Sequence, residues 1–360
     1  MITILHAADL HLDSPFSGLA PDQAAKRRGE QRLLLDDLTA LAKRERADVV
    51  LLPGDLFDSA HVYPQTIRAL ARCLAEMPCP VFIAPGNHDP FTAASPYAAV
   101  EWPENVHIFS GEVEKVPLPG HNCVVYGFGF PDAHVTASPL EGFLVNEGRD
   151  TVKLMCLHAD LTPDSPYCPI NAGQIAASGL TYLALGHIHG HGGLQRSGST
   201  FYAYPGCPQG RGFDETGEKG VLIVRAEPGN VTADFVPLCR RRYEVLSVDV
   251  TGRDPLTAVA NTLPADTAPH AYRIVLTGEC PGVDLPALTA ALEPRFAALA
   301  VLDRTRLPLD LWARRGEDNL TGLVLDQLWQ KLQNDPHNET LLLAARFAAA
   351  ALEGGEDPAP

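Results

Sequence analysis

The segment ITILHAADLH, residues 2–11, decides the fold, because it is an apolar, β-branched run that ends in a polar cluster. The same pattern recurs in DVVLLPGDLFD (48–58), PVFIAPGNHD (80–89), VKLMCLHAD (152–160) and YLALGHIHG (182–190). Such runs are typical of buried strands in an α/β sheet. Two segments with helical periodicity, 21–47 and 64–77, separate the first three runs and predict a βαβαβ opening with parallel strands. Ligands then collect at the carboxyl ends of the strands.

The rest of the chain predicts more strands and a second unit. The runs NVHIF, CVVYGFGF, TFYAYPG, GVLIVRA and TADFVPL predict a second, partly antiparallel sheet packed on the first, with a short helix near 171–178. The main domain is expected to end near residue 238. Beyond it, YEVLSVDVTG and AYRIVLTGE predict strands, with helices near 255–263 and 285–299. Residues 317–353 predict helices, and the final EGGEDPAP predicts a frayed tail.

Composition excludes several classes of protein. The chain has 360 residues, 46% hydrophobic and 20% charged, which is ordinary for a globular protein. Its formal net charge of −16 argues against a protein that holds nucleic acid mainly by a basic surface. Its eight cysteines form no CxxC pair, so neither a zinc ribbon nor a disulfide framework is indicated. Without a secretory signal or a long apolar run, we expect a soluble cytoplasmic protein with no membrane association.

Two of the polar clusters carry acidic residues in positions that suit a metal. Asp9 and His11 lie two residues apart after a strand, so both side chains point the same way and can hold one cation. Asp55 ends a buried strand, where its two oxygens can bridge two metals, and Gly54 permits close approach of the backbone. Taken singly, the first cluster is better explained by a solvated loop and the second by a helix N-cap.

The other three clusters add neutral ligands. In GNHD, the oxygen of Asn87 is a hard ligand, and the adjacent His88 can face the substrate as a proton donor. His158 alone would be a satisfied structural histidine, but His187 and His189 again lie on one side of an extended segment. Imidazoles suit Mn, Fe and Zn. Five such clusters in order, each after a predicted strand, jointly indicate a metal site.

These motifs resemble those of the calcineurin-like metallophosphoesterases over roughly the first two thirds of the chain. The resemblance implies an α/β/β/α sandwich of two mixed sheets, with a small C-terminal α/β cap and a helical tail. It implies seven ligands: Asp9, His11 and His189 for one metal, Asn87, His158 and His187 for the other, and Asp55 bridging them. It also implies that His88 protonates the leaving oxygen or stabilises the transition state and that Asp58 orients it. Two divalent ions are expected, Mn²⁺ first, with Fe, Zn or Mg left open.

Within that superfamily, the chain looks most like the SbcD and YhaO group of DNA-repair exonucleases, which act with SMC-like ATPases. The wording HAADLHLDSPF, GDLFD, GNHDP and GHIHG carries this resemblance, together with GCPQGRGFDETGEKG at 206–220. It implies a DNA substrate, an ATPase partner and a homodimer. The expected domains are a nuclease domain (1–238), a capping domain (239–312) and a helical tail (313–360) that docks on the partner.

Some alternatives stay open at this point. Arg211 either contacts substrate phosphate or lies in a flexible turn, and the run 240–242 either meets DNA or bridges two domains. The apolar helix ETLLLAARFAAAALEG either docks on an ATPase or packs on its own domain. The leading function is a metal-dependent DNA exonuclease or endonuclease. A small-nucleotide phosphodiesterase or phosphatase, and a non-catalytic scaffold for an ATPase, are the alternatives.

Overall fold

The computed structural model describes residues 1–59, 61–280, 282–306, 309–336 and 338–352. It divides the chain into two compact units, Met1–Arg242 and Tyr243–Pro360. The predicted frayed tail, 353–360, lies outside the described residues. The three predicted domain ranges, and the capping and docking roles attached to them, stay predictions.

Among its described residues, the first unit contains twelve strands and three α-helices. The strands are β1 (Ile2–His6), β2 (Val49–Leu52), β3 (Val81–Ile83), β4 (Val106–Ile108), β5 (Glu114–Pro117), β6 (Cys123–Phe128), β7 (Val152–His158), β8 (Tyr182–Gly186), β9 (Gln195–Ser197), β10 (Thr200–Ala203), β11 (Gly220–Glu227) and β12 (Asn230–Pro237). The helices are α1 (Pro21–Glu45), α2 (Pro64–Ala75) and α3 (Ala172–Ala177), with a 3₁₀ turn at Pro96–Ala98.

Two six-stranded mixed sheets form this unit, in the orders β12-β11-β1-β2-β3-β4 and β5-β6-β7-β8-β10-β9. The predicted parallel βαβαβ opening is confirmed, because β1, β2 and β3 pair in parallel with α1 and α2 between them. The assignment of strands to sheets was wrong in part. NVHIF, GVLIVRA and TADFVPL form β4, β11 and β12 of the first sheet, whereas VKLMCLHAD and YLALGHIHG supply β7 and β8 of the second.

The predicted layers follow from the alternation of side chains along each strand. In β2, Val50 and Leu52 belong to the core that α1 and α2 cover, whereas Val49 and Leu51 belong to the core between the sheets. A third core covers the outer face of the second sheet and includes Ile175 of α3. The predicted α/β/β/α sandwich of two mixed sheets is therefore confirmed.

The second unit has a small parallel sheet of β13 (Tyr243–Asp249), β14 (Ala271–Thr277) and β15 (Ala298–Asp303). Its helices are α4 (Pro255–Thr262), α5 (Leu285–Leu292), α6 (Leu320–Leu332) and α7 (Glu339–Leu352), with 3₁₀ segments at Glu293–Arg295 and Leu309–Gly316. The helix predicted at 285–299 was too long. Pro294 cannot continue an α-helix, because its ring lacks an N–H and clashes with the preceding turn, and the chain instead enters β15.

The arginine run at the end of the first unit is neutralised within that unit. The pairs are Arg240 with Asp37 at 2.9 Å, Arg241 with Glu30 at 2.8 Å and Arg242 with Glu218 at 3.5 Å. These ion pairs join the end of the first unit to α1 and to the segment before β11. All eight cysteines are free thiols. In the described part of the chain, no helix combines the length and apolarity that a membrane span requires, and the location in the cell stays a prediction.

Candidate metal centre

The predicted ligand residues follow five strands, three in the first sheet and two in the second. Asp9 and His11 follow β1, Asp55 follows β2, and Asn87 follows β3. Histidine ends β7 at His158 and follows β8 at 187 and 189. Backbone hydrogen bonds tie the first two loops together, since the amide of Asp9 donates to Gly54 O at 3.1 Å and that of His11 to Asp55 O at 2.9 Å. Both sheets therefore deliver their strand ends to one edge.

The backbone at this edge is strained. Asp9, His11, Asp55 and His187 have φ angles of 55°, 44°, 51° and 109°, values that residues with a Cβ rarely adopt. Such conformations persist where the surrounding structure enforces them, and they cluster at functional sites. Gly54, at φ 81°, is required as predicted, because a Cβ there would lie 2.6 Å from Nδ1 of His158.

One pair of imidazoles meets nitrogen to nitrogen. Nε2 of His11 lies 3.0 Å from Nε2 of His189. Nδ1 of His11 lies 3.1 Å from a carboxylate oxygen of Asp58, and Nδ1 of His189 lies 2.7 Å from Oε1 of Glu215. Carboxylates beside both Nδ1 atoms favour the tautomer that carries the proton on Nδ1, and in that tautomer the two Nε2 lone pairs face each other. A cation between them stabilises this arrangement, and without one the two acceptors repel.

A second pair of facing hydrogen-bond acceptors lies at His158. Its Nδ1–H donates to Pro53 O at 3.0 Å, so its Nε2 carries a lone pair that faces Oδ1 of Asn87 at 2.9 Å. The ring is fully buried, and burial lowers its pKa to about 4, so the ring is neutral near pH 7. Burial likewise lowers the pKa of His11 to about 4. Two neutral imidazoles in this state have the form that metals bind.

Asp55 lies between these two pairs of facing acceptors. Its Oδ2 is 3.8 Å from Nε2 of His11 and 3.6 Å from Nε2 of His158. Its Oδ1 accepts a hydrogen bond from the amide of His88 at 2.9 Å, which fixes the carboxylate plane. Burial, followed by the nearby charge of Asp55, raises the pKa of Asp9 well above its ordinary value. Carboxylate oxygens of Asp9 and Asp55 lie within 4.8 Å of each other, and bound cations would stabilise two buried charges at that distance.

The donor set therefore fits divalent metal ions. Three groups of donor atoms have every member within 4.8 Å of the others. They are Asp9, His11 and His189; His11, Asp58 and His88; and Asp9, Asp55 and His158. Mixed carboxylate, amide and imidazole donors suit Mn, Fe or Zn.

His187 is the one predicted histidine ligand outside these three groups of described residues. Its backbone amide donates to Asp9 at 3.0 Å, and its ring centroid lies 5.1 Å from that of His158. Its Nε2 faces a carboxylate oxygen of Asp160 at 3.6 Å. Burial and the neighbouring His158 lower its pKa to about 4. The structure thus places His187 beside the facing acceptors of His158 and Asn87.

His88 is exposed at the mouth of this site. Its Nδ1–H donates to the backbone oxygen of Asp58 at 2.9 Å, which leaves Nε2 free to face a substrate. The predicted contact between these two residues is present, but through the carbonyl. The carboxylate of Asp58 instead faces His11 and accepts hydrogen bonds from Ser14 at 3.0 Å and Arg211 at 2.7 Å.

Comparison with known proteins agrees with this geometry. The family model of the calcineurin-like phosphoesterases matches residues 2–191, which is more than half of the chain. The chain belongs to the calcineurin-like phosphoesterase family. The predicted family and the metal-dependent class of the protein are thereby confirmed.

The relatives include a metallophosphoesterase, a nuclease subunit and a DNA repair protein. An uncharacterized metallophosphoesterase, YhaO of Bacillus subtilis, is 32% identical over 89% of this chain and 84% of its own length. The SbcD component of the nuclease SbcCD from the same organism is 28% identical over 63% of this chain. The DNA double-strand break repair protein Mre11 of Aeropyrum pernix is 27% identical over 69%. The chain spans 66% and 64% of the lengths of the latter two.

Asp89 is a buried residue of this phosphoesterase site to which the sequence assigned no role. Its carboxylate accepts five hydrogen bonds, from the amides of Asp55, Leu56, Phe57 and Gly86 and from the hydroxyl of Tyr97, at 2.6–3.2 Å. It thereby joins the loop after β2, which carries Asp55, to the loop after β3, which carries Asn87. The only signal in the sequence is its place at the end of GNHD.

Arg211 lies in a network of carboxylates, where the sequence left substrate contact and a flexible turn as alternatives. Its guanidinium donates to Asp58 at 2.7 Å and to Glu215 at 2.8 Å, and its amide donates to Glu215 at 2.7 Å. Although burial alone would raise it, hydrogen bonds from His189 and Arg211 hold the pKa of Glu215 well below its ordinary value. Arg211 thus links the carboxylates behind the two facing imidazoles, and its contact with substrate stays a prediction.

Proposed function

We propose that this chain is a two-metal phosphodiester hydrolase that acts on DNA. The proposal rests on two pairs of hydrogen-bond acceptors that face each other on either side of Asp55. The pairs are His11 with His189 and His158 with Asn87. Neutral imidazoles, an amide oxygen and buried carboxylates that face each other repel, and bound cations remove that repulsion.

The proposed ligand sets follow from these positions. Asp9, His11 and His189 would hold one ion, and Asn87, His158 and His187 would hold the other. Asp55 would be shared by both, since its Oδ2 lies 3.8 Å and 3.6 Å from the Nε2 atoms of His11 and His158. We propose Mn²⁺ as the working metal.

The chemistry requires two contributions. Bound divalent ions lower the pKa of a water and neutralise the charge that develops on the phosphoryl oxygens. The protein then supplies a proton to the leaving oxygen. In its doubly protonated form, His88 donates Nδ1–H to Asp58 O at 2.9 Å and can give the proton on Nε2 to the leaving oxygen. The backbone N–H of His88 also donates a hydrogen bond to Oδ1 of Asp55, which links the proposed proton donor directly to the proposed bridging carboxylate.

DNA as the substrate is supported by the relatives whose names describe them as part of a nuclease and as a double-strand break repair protein. We further propose that the chain acts in DNA repair as an exonuclease or endonuclease with an SMC-like ATPase. Homodimerisation is proposed on the same resemblance. The net charge of −16 fits a protein in which bound cations or a partner supply much of the attraction for DNA.

The test compares a labelled linear duplex with a bis-aryl phosphodiester, both in Mn²⁺, for the wild type and three variants. Asp55→Ala is expected to lose both metals and about 10³-fold or more in activity. His88→Ala is expected to lose about 10²-fold while the metal content stays unchanged. Asp36→Ala, an exposed acid on α1, is the matched control and should behave as the wild type.

Each outcome has a definite meaning. Cleavage of the duplex that is lost in both site variants supports the DNA nuclease. Turnover of the small diester alone, lost in the same variants, would replace it with a small-nucleotide phosphodiesterase. Absence of any hydrolysis by the metal-loaded wild type would favour the non-catalytic scaffold and overturn the proposal.

A further inference from the structure

A cleft of about 830 Å³ opens beside the candidate metal centre. Its walls include Arg28 of α1 and the segment before α2 that carries His61 and Tyr63. Asp58 lines the cleft and also belongs to the group of donors with His11 and His88. The cleft, named here the flanking cleft, is therefore continuous with the edge where the proposed hydrolysis takes place.

Arg28 gives the flanking cleft an uncompensated positive charge. One of its guanidinium nitrogens donates to Pro15 O at 3.3 Å, and among the described residues no carboxylate pairs with it. A guanidinium has five N–H donors, so most remain available. The two acids that line the cleft are each paired already, Asp13 with Arg32 at 3.3 Å and Asp58 with Arg211 at 2.7 Å.

Tyr63 presents an aromatic ring in the same cleft. Its side chain is 53% exposed, and the guanidinium carbon of Arg28 lies 5.9 Å from its ring centroid. Its backbone is fixed, because its amide donates to Asp13 at 2.9 Å and the hydroxyl of Thr66 donates to the same carboxylate at 2.9 Å. An exposed ring on a fixed backbone at the N-terminus of a helix is ready to stack without further ordering.

We propose that the flanking cleft binds the nucleic-acid strand next to the scissile phosphodiester. Arg28 contacts a backbone phosphate, and Tyr63 stacks on a base. A strand alternates phosphates with bases, so a cation beside an aromatic ring matches two successive elements of it. The proposal rests on the proposed hydrolysis of DNA and adds the subsite that separates a polynucleotide from a small diester, which occupies the metal centre alone.

Two measurements on the full chain test this subsite. Fluorescence anisotropy with a labelled single-stranded oligonucleotide, in Mn²⁺ and in a His88→Ala background that slows cleavage about 10²-fold, gives the Kd. Turnover of bis(p-nitrophenyl) phosphate, without that background, reports on the metal centre. Arg28→Ala and Tyr63→Ala are each expected to raise the Kd about tenfold. Turnover of the small diester is expected to stay within about twofold of the wild type, which also shows that the variants fold.

Matched controls separate the subsite from general charge and from structure. Arg68→Ala removes an exposed arginine of α2 that also donates to a backbone carbonyl but does not line the cleft, and its Kd should not change. Tyr63→Phe keeps the ring and should retain affinity. An unchanged Kd in both cleft variants overturns the inference, as does an equal rise in Arg68→Ala.

The failure of this inference is distinguishable from failure of the proposed function. A wild type that hydrolyses the small diester but does not bind the oligonucleotide overturns the subsite and leaves phosphodiester hydrolysis standing. A wild type that hydrolyses neither substrate overturns the proposed function, and the anisotropy of the cleft variants then decides the subsite by itself.

Discussion

Two histidines of the same segment, His6 inside β1 and His11 beyond its end, show what marks a metal centre in this protein. Both side chains are fully buried, and burial lowers their pKa values to about 3 and about 4. His6 is satisfied by protein, because Nδ1 accepts from the hydroxyl of Tyr182 at 2.8 Å and Nε2 donates to Leu185 O at 3.1 Å. His11 instead directs Nε2 at another imidazole nitrogen.

Burial and a shifted pKa therefore do not distinguish a ligand from a core histidine. The distinguishing feature is a pair of facing acceptors, together with the backbone that holds them. His6 lies in regular β-structure with a cross-strand partner on either side, whereas His11, Asp9 and Asp55 have positive φ angles. In the interior, protein groups satisfy the polar atoms of His6. At the ends of the strands, the loops have strained backbones, and side-chain hydrogen bonds hold them in place.

Asp89→Ala should show this dependence most strongly. The substitution leaves four buried amides and one buried hydroxyl without their acceptor, so we expect a loss of about 4 kcal/mol in the free energy of unfolding. Urea unfolding of the metal-free protein measures it.

Tyr97→Phe provides the graded control, because it removes a single donor to Asp89 and should cost only about 1 kcal/mol. Equal losses in the two variants would show that the one hydrogen bond from the Tyr97 hydroxyl, rather than the four from the backbone amides, accounts for the effect of Asp89. The contrast between a self-sufficient interior and a braced edge would then be wrong.

His6→Gln tests the interior side of the comparison. The pKa of His6 is about 3 in the folded protein and about 6.5 when exposed, so the unfolded chain binds the extra proton as the pH falls. Stability that is present above pH 6.5 is therefore lost between pH 6.5 and about pH 3. Glutamine keeps a donor and an acceptor but does not titrate, so the variant should lose about 2 kcal/mol less than the wild type between pH 8 and pH 5.

Urea unfolding in EDTA across this pH range gives both curves. The other buried histidines remain in the variant, and their contributions cancel in the difference between the two proteins. Parallel curves would mean that His6 takes up its second proton as readily in the folded protein as in the unfolded chain, in conflict with the hydrogen bond that its Nδ1 accepts from Tyr182.

Much of the fold was predictable because its signals are local. The alternation in VVLL of β2 separates the two cores, and Pro21 and Pro64 begin the first two helices. The assignment of strands to sheets was not predictable in the same way. An apolar strand composition suits either sheet, so β4, β11 and β12 find their partners through long-range pairing that their own residues do not encode.

The candidate site divides along the same line. Its inner residues were predicted because each follows a strand in a recognisable motif. Asp160, which faces His187 at 3.6 Å, and Glu215, which faces His189 at 2.7 Å, were missed because nothing local couples them to the motifs. A spacing of four residues between Arg211 and Glu215 is the one hint that the glycine-rich segment is an ion-paired support rather than a flexible turn.

Glu215→Gln should weaken only one half of the metal centre. The carboxylate of Glu215 holds the proton of His189 on Nδ1 and thereby aims the Nε2 lone pair at His11, whereas His158 is held by the carbonyl of Pro53. Glutamine keeps an acceptor but lacks the charge, so we expect one of two binding steps to weaken about tenfold in Mn²⁺ titration calorimetry, with the other unchanged. Glu218→Gln, at an exposed acid of the same segment that pairs with Arg242, should leave both steps intact. If both steps weaken together in Glu215→Gln, the two halves are one coupled site, and the carboxylate behind His189 supports the whole of it.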